Sequence, residues 1–187
     1  MTSHSDPLSP DLLKRLHHGS WPIRNSAVKT LGETKNSEAC QQLLNIIRDR
    51  RPSSWWRRCL GESFYQVGFT RRNAWIALGQ QDCQPDDVMN LWTLGMDDPY
   101  YEVRSTCWKA LGQILRQGKI TISEAQQQEF HQRILKEQNF EIMIAMLSAA
   151  DTFLPCEALL NLAPKVKSFK HWRVRAAFLD ALGRIVQ

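Results

Sequence analysis

The sequence contains no apolar run approaching the roughly 18 residues that a membrane-crossing helix requires. It has no C-x-x-C pair, and its cysteines are odd in number: Cys40, Cys59, Cys83, Cys107 and Cys156. That pattern suggests neither a closed disulfide framework nor a structural zinc site, so reduced, mostly buried thiols are expected. No G-x-S-x-G, H-E-x-x-H or phosphate-cradling glycine loop occurs. The histidines, His4, His17, His18, His131 and His171, lack a cysteine or carboxylate at ligand spacing. Glu124 and Glu129 lie in a polar stretch, where burial would not raise a carboxylate pKa. The expectation is no catalytic residue, no metal and no cofactor. The opening MTSHSDPLSPDLL lacks a basic leader and an apolar segment, which points to a cytoplasmic location. Alternating strand patterns are missing as well, so an all-α chain is expected.

What remains is a chain of 187 residues with a formal net charge of +5 and a mean hydropathy of −0.40. That length suits one compact domain or a short repeat array. Seven tryptophans stand out: Trp21, Trp55, Trp56, Trp75, Trp92, Trp108 and Trp172.

Internal similarity is the strongest signal. Four segments align without gaps: WPIRNSAVKTLG (21–32), GFTRRNAWIALG (68–79), YEVRSTCWKALG (101–112) and WRVRAAFLDALG (172–183). Each carries an arginine eight residues before its glycine, at Arg24, Arg71, Arg104 and Arg175, and a leucine directly before that glycine. Val103, Cys107, Trp108, Ala110 and Leu111 recur at offsets of three or four, the period of an apolar helical stripe. The small residues Ala27, Ala74, Ala110 and Ala181 would let a neighbouring helix approach closely. The motif glycine is read as a left-handed helix cap, although the third helix is expected to run past it. The arginines are spaced 47, 33 and 71 residues apart. The middle value is one unit of a helical array. The last is two units, which places a degenerate copy at NFEIMIAMLSAA. The first leaves room for an insertion around RRPSSWWRR.

Helices are predicted over 9–18, 22–31, 37–49, 54–67, 70–80, 85–95, 101–116, 124–137, 139–149, 153–163 and 172–186, with KVKSFKHW as a loop. Ser9-Pro10 and Ser123 mark helix starts. Each helix pair is too small to bury its own face, so stacking of pairs must supply the core.

The motif x-V-R-x-x-A-x-x-A-L-G resembles the second helix of a HEAT repeat, of the short kind found in phycobilisome-lyase-like proteins. The match is close at 101–112 and 172–183 and partial at 68–79, where Thr70 replaces an aliphatic residue. The resemblance implies a right-handed α-solenoid of about five stacked antiparallel helix pairs. It implies a single domain over 1–187, with an irregular insertion around 50–68. Trp75 and Trp108 stand where the family usually has alanine, and Phe178 is a similar departure one position earlier. Less regular packing between units is expected there.

The family context gives the motif arginines a structural role, bonding acidic or backbone groups of an adjacent unit. Positions one and five residues after each arginine point away from the apolar stripe and are read as a ribbon on the inner, concave surface of the array: Asn25, Lys29, Arg72, Ile76, Ser105, Lys109, Ala176 and Asp180. Between residues 48 and 72, seven arginines face only Asp49 and Glu62, with Trp55 and Trp56 among them. Such a set suits an acidic protein, since arginine and tryptophan are favoured interface anchors, and, as the less favoured reading, nucleic acid through phosphate contacts and base stacking. Arg51, Trp55, Trp56, Arg57, Arg58 and Arg72, with Lys29 and Lys109 from the ribbon, are therefore the candidate partner-binding residues. A second aromatic group, Trp92, Tyr100, Tyr101 and Trp108, surrounds a DDPYY turn and suggests a small polar recognition edge.

The leading functional expectation is a non-enzymatic scaffold or adaptor that holds a protein with an acidic surface. One alternative, implied by the resemblance, is a subunit that handles a linear tetrapyrrole, as phycobilin lyases do. Another is a nucleic-acid-binding protein resembling the HEAT-like alkylpurine DNA glycosylases, in which Trp75 or Trp108 would have to face outward. The sequence leaves the oligomeric state open.

Overall fold

The computed structural model describes residues 7–34, 36–50, 55–59, 64–81, 83, 85–118 and 120–186. Every regular element among them is a helix: α1 (Pro10–Leu16), α2 (Trp21–Glu33), α3 (Ser37–Arg48), α4 (Trp55–Cys59), α5 (Phe64–Leu78), α6 (Pro85–Met96), α7 (Tyr101–Arg116), α8 (Glu124–Lys136), α9 (Phe140–Ala150), α10 (Cys156–Leu160), α11 (Ala163–Ser168) and α12 (Trp172–Val186). The chain forms two compact units, 1–107 and 108–187. In each, helices joined by short turns pack pairwise, and the pairs stack, as the repeat pattern requires.

In the first unit α2 packs on α1, α3 and α5, and α3 packs on α5 and α6. Ser9 caps α1 by accepting from the Leu12 N–H at 3.2 Å, and Asn36 caps α3 by accepting from the Ala39 N–H at 2.6 Å. The core is the apolar stripe of the motif helices: Ala27, Val28, Leu31, Ala74, Trp75 and Leu78 are all fully buried. In the second unit α12 packs on α9, α10 and α11. Ser123 and Gln126 form a reciprocal capping box at the start of α8, and Asn139 caps α9. Trp108, Phe130 and Phe153 form an aromatic cluster with ring centroids 5.1 to 5.9 Å apart.

The motif glycine does not adopt the left-handed cap conformation, even at Gly79, which directly follows α5. Gly32 and Gly112 lie inside their helices, and the one positive φ among the described residues belongs to Gly118. Their role is close approach. A Cβ at Gly32 would stand 2.9 Å from the Ala77 Cβ, and one at Gly112 would stand 2.8 Å from the Ala149 Cβ. The missing side chain is what lets the next motif helix sit down on this one. Ala149 lies in the degenerate copy, so that segment takes its place in the array.

Trp75, the bulky departure from the motif, finds its space through another glycine. A Cβ at Gly95 of α6 would meet the Trp75 ring at 2.6 Å and the Cys107 Sγ at 2.5 Å.

Three boundaries differ from the sequence reading. The second motif helix runs over Phe64–Leu78 rather than starting at 70, and of the helix expected over 54–67 the described residues form α4 and the first turn of α5. FYQVGFTRRNAWIAL is apolar on several faces, so its period marks no clear start. The segment 153–163 is two short helices, α10 and α11, and α11 takes in part of the expected KVKSFKHW loop.

The thiol expectation is also corrected. Cys40 and Cys83 form a disulfide, with Cα atoms 5.7 Å apart and 43 residues between them in sequence. Of the remaining cysteines Cys107 is buried, Cys156 half-buried and Cys59 exposed. Spacing in sequence carries no information about this pairing, because the fold of α3 against α6 brings the two residues together.

Candidate interaction surface

The motif arginines are used structurally. Arg24 donates to the carbonyls of His18 (2.7 Å) and Gly19 (2.8 Å), Arg104 to that of Asp98 (2.6 Å), and Arg175 to that of Phe169 (3.1 Å). Each thus reaches six residues back and ties down the turn before its own helix, rather than an adjacent unit. Arg71 cannot do this, because α5 starts seven residues before it and no turn lies there. Instead it spans 27 residues to form a fork with Asp98: Nε to Oδ2 at 2.8 Å and Nη2 to Oδ1 at 3.1 Å.

Asp98 is the acceptor at the centre of unit 1. It is wholly buried, takes a further ion pair from Arg50 at 3.1 Å, and accepts from the Tyr100 N–H at 3.0 Å. Arg50 also donates to the Leu94 carbonyl. The Arg71 guanidinium lies 5.6 Å from the centroid of the Tyr100 ring, which itself lies over Gly68. These contacts correct the reading of the DDPYY turn as a recognition edge. Asp98, Tyr100, Trp92 and Trp108 are buried, and of the turn only Asp97, Pro99 and Tyr101 are exposed.

The ribbon is corrected in part. Lys29, Ile76, Lys109 and Asp180 are exposed, and Arg72 and Ala176 are half-buried, but Asn25 and Ser105 are buried. Asn25 lies seven residues, two helical turns, before Gly32 and so shares its face, the one that receives the next motif helix. The position directly after the arginine belongs to stacking; the position five after it belongs to solvent.

The outward aromatic surface is on α4. Trp55 and Trp56 are 65% and 71% exposed, with centroids 4.4 Å apart in an edge-on arrangement. Arg57 and Arg58 follow them in the same helix, but their side chains lie outside the description, and Arg51 lies outside the described residues. On α5 the Arg72 guanidinium sits 5.7 Å from the centroid of the exposed Phe69 ring, and Ile76 is exposed one turn further on. Among the described residues no hydrogen bond or ring contact joins Arg72, Lys29 or Lys109 to the tryptophan pair. Lys109 belongs to the second unit.

Sequence reasoning missed two arginine–aspartate clusters. In the second unit Asp151 accepts from Arg116 at 2.8 Å and from Arg184 at 2.8 Å. The hydrogen bond to Asp151 is the main cause that raises the Arg184 pKa above its ordinary value. For Asp98 no signal was available, because a helix start read at residue 70 makes Arg71 look like the other motif arginines, and only the start of α5 at Phe64 sets it apart. Asp151 directly follows the degenerate copy, at a position that no pattern flags.

Among the described residues no three metal-capable side chains converge, and no helix is long and apolar enough to cross a membrane. No family model matches the chain, and no curated protein matches it.

Proposed function

We propose that this chain is a non-enzymatic adaptor built from HEAT-like helical repeats, and that it binds another protein. The contact surface is α4 with the exposed flank of α5: Trp55, Trp56, Phe69, Arg72 and Ile76, joined by Arg51, Arg57 and Arg58 from the same stretch of chain. The carrying observation is the pair of tryptophans left open to solvent beside an arginine-rich segment, in a protein that buries Trp75, Trp92 and Trp108. Tryptophan and arginine dominate interface hot spots, and the excess of arginine favours an acidic partner face. α5 is packed on α2 and α3, so Phe69, Arg72 and Ile76 are displayed from a fixed helix, which lowers the ordering cost of binding there. Lys29 and Lys109 are proposed as peripheral charges that steer the encounter rather than hold the complex.

With Trp75 and Trp108 buried, a nucleic-acid alternative would stack bases on Trp55 and Trp56 beside the same arginines, and salt-sensitive retention on duplex DNA would reveal it. The tetrapyrrole alternative would have to draw on the same exposed pair, and a visible absorbance change on adding a bilin would reveal it. The test of the adaptor reading is capture from native cell lysate. It compares wild type, Trp55→Ala/Trp56→Ala and Arg57→Glu/Arg58→Glu, with a duplex-DNA column in parallel. Proteins retained by wild type and lost by both variants support the reading. An unchanged set of captured proteins overturns it, as does salt-sensitive retention on DNA with no protein captured.

A further inference from the structure

The motif offers an internal standard for what covers each helix, and α12 departs from it. Four and eleven residues before the motif glycine, and at the glycine itself, α2 carries Val28, Trp21 and Gly32, and α12 carries Leu179, Trp172 and Gly183. In α2 both Val28 and Gly32 are buried, with Gly32 seated on Ala77. In α7 the equivalent Trp108 and Gly112 are buried, with Gly112 seated on Ala149. In α12 Leu179 is 65% exposed, and nothing stands within 4 Å of a Cβ built on Gly183. The position of Trp172 is open in all three helices, at 38% for Trp21 and Tyr101 and 63% for Trp172. The opposite face of the helix, with Val174 and Ala181, is fully buried. The helix is therefore firmly packed on one side and bare on the side that the other motif helices use for stacking.

We infer that this face of α12 is an isologous dimer interface, covered by α12 of a second copy of the same chain running antiparallel to it. The residues on the stripe complement their own reverse. Trp172, Ala176, Leu179 and Gly183 fall within one narrow sector of the helix surface. When two copies are opposed about a twofold axis between residues 177 and 178, Trp172 meets the partner subunit's Gly183, and Ala176 meets the partner subunit's Leu179. Each large side chain finds a small one. Charges agree with the same arrangement. In an antiparallel symmetric pair each flank of the helix meets its own copy, and Arg173 and Asp180, both exposed, lie on the same flank seven residues apart. Arg173 then faces the partner subunit's Asp180, and the symmetry makes that pair twice. A helix of 15 residues buries less than the roughly 1,200 Å² at which stable interfaces begin. The dimer is accordingly weak, with a dissociation constant in the roughly micromolar range or above. This inference uses α12 alone and stands or falls independently of the adaptor surface on α4.

Sedimentation velocity on the full chain, from about 2 to 500 µM, tests it. Wild type should pass from monomer to dimer across that range. Leu179→Glu should remain monomeric at every concentration, with an unchanged circular dichroism spectrum because the side chain is 65% exposed. Arg173→Glu should weaken the dimer roughly tenfold, since it replaces two attractions by two repulsions. The double variant Arg173→Glu/Asp180→Arg should recover most of that loss. A wild type that stays monomeric throughout overturns the inference. So does a Leu179→Glu protein that dimerises like wild type, or a double variant no tighter than Arg173→Glu alone.

Discussion

Each unit of this chain clamps one aspartate between two arginines, and the two clamps differ in their access to water. Asp98 in the first unit is sealed, with zero exposure; of its two arginines Arg71 is 5% exposed and Arg50 30%, so the contrast rests on Asp98 and Arg71. Asp151 in the second unit sits under arginines whose side chains keep 42% and 39% of their surface in solvent. The chemistry is the same and the energetic consequence is not. A sealed aspartate whose removal strands Arg71 in the interior is a point at which the unit breaks. A half-open clamp lets its arginines turn to water when the partner is lost.

The largest expected effect follows from that contrast. Asp98→Ala should cost about 3–5 kcal/mol, seen as a large drop in the urea midpoint, because it leaves a buried guanidinium without its anion. A loss below about 1 kcal/mol would mean that Arg71 has another outlet. Next comes the covalent tie that unit 1 has and that the second unit's described residues lack. Cys40→Ser/Cys83→Ser should cost about 2–4 kcal/mol, and a reductant should lower the wild-type melting temperature by a matching amount while leaving the double variant unmoved. Equal sensitivity of both proteins to reductant would contradict this. The smallest is Asp151→Ala, at about 1 kcal/mol, shrinking as salt is added. If Asp151→Ala proved as damaging as Asp98→Ala, burial would not be what separates the clamps.

Much of the fold was legible because helices announce themselves locally. Ser9, Ser123 with Gln126, and the 3.6-residue stripe in YEVRSTCWKALG fix helix positions from neighbouring residues alone, and α7 and α12 lie where the pattern put them. Spatial relationships were less legible. A glycine before a helix end reads equally as a cap or as a seat for another helix, and only Ala77 and Ala149 decide between them. The Cys40–Cys83 bridge and the Arg71–Asp98 fork join residues 43 and 27 apart, distances over which sequence carries no periodic signal. Of the candidate surface, Trp55 and Trp56 are exposed as a tryptophan pair in a polar, arginine-rich stretch would suggest. Asn25 and Ser105 were misplaced because a polar residue at a stacking position looks like a solvent-facing one until the neighbouring helix is known.

The central structural claim is that the repeated glycine is a contact residue, seated on the next motif helix in α2 and α7 and left open in α12. Alanine substitution at the three positions, followed by urea unfolding in dilute solution, tests it most directly. Gly32→Ala and Gly112→Ala should both destabilise, since the added methyl would stand 2.9 and 2.8 Å from an alanine Cβ. Gly183→Ala should stabilise by up to about 1 kcal/mol, the ordinary gain from replacing a helical glycine whose surroundings are empty. Stabilisation at all three sites, or loss at all three, would contradict the account.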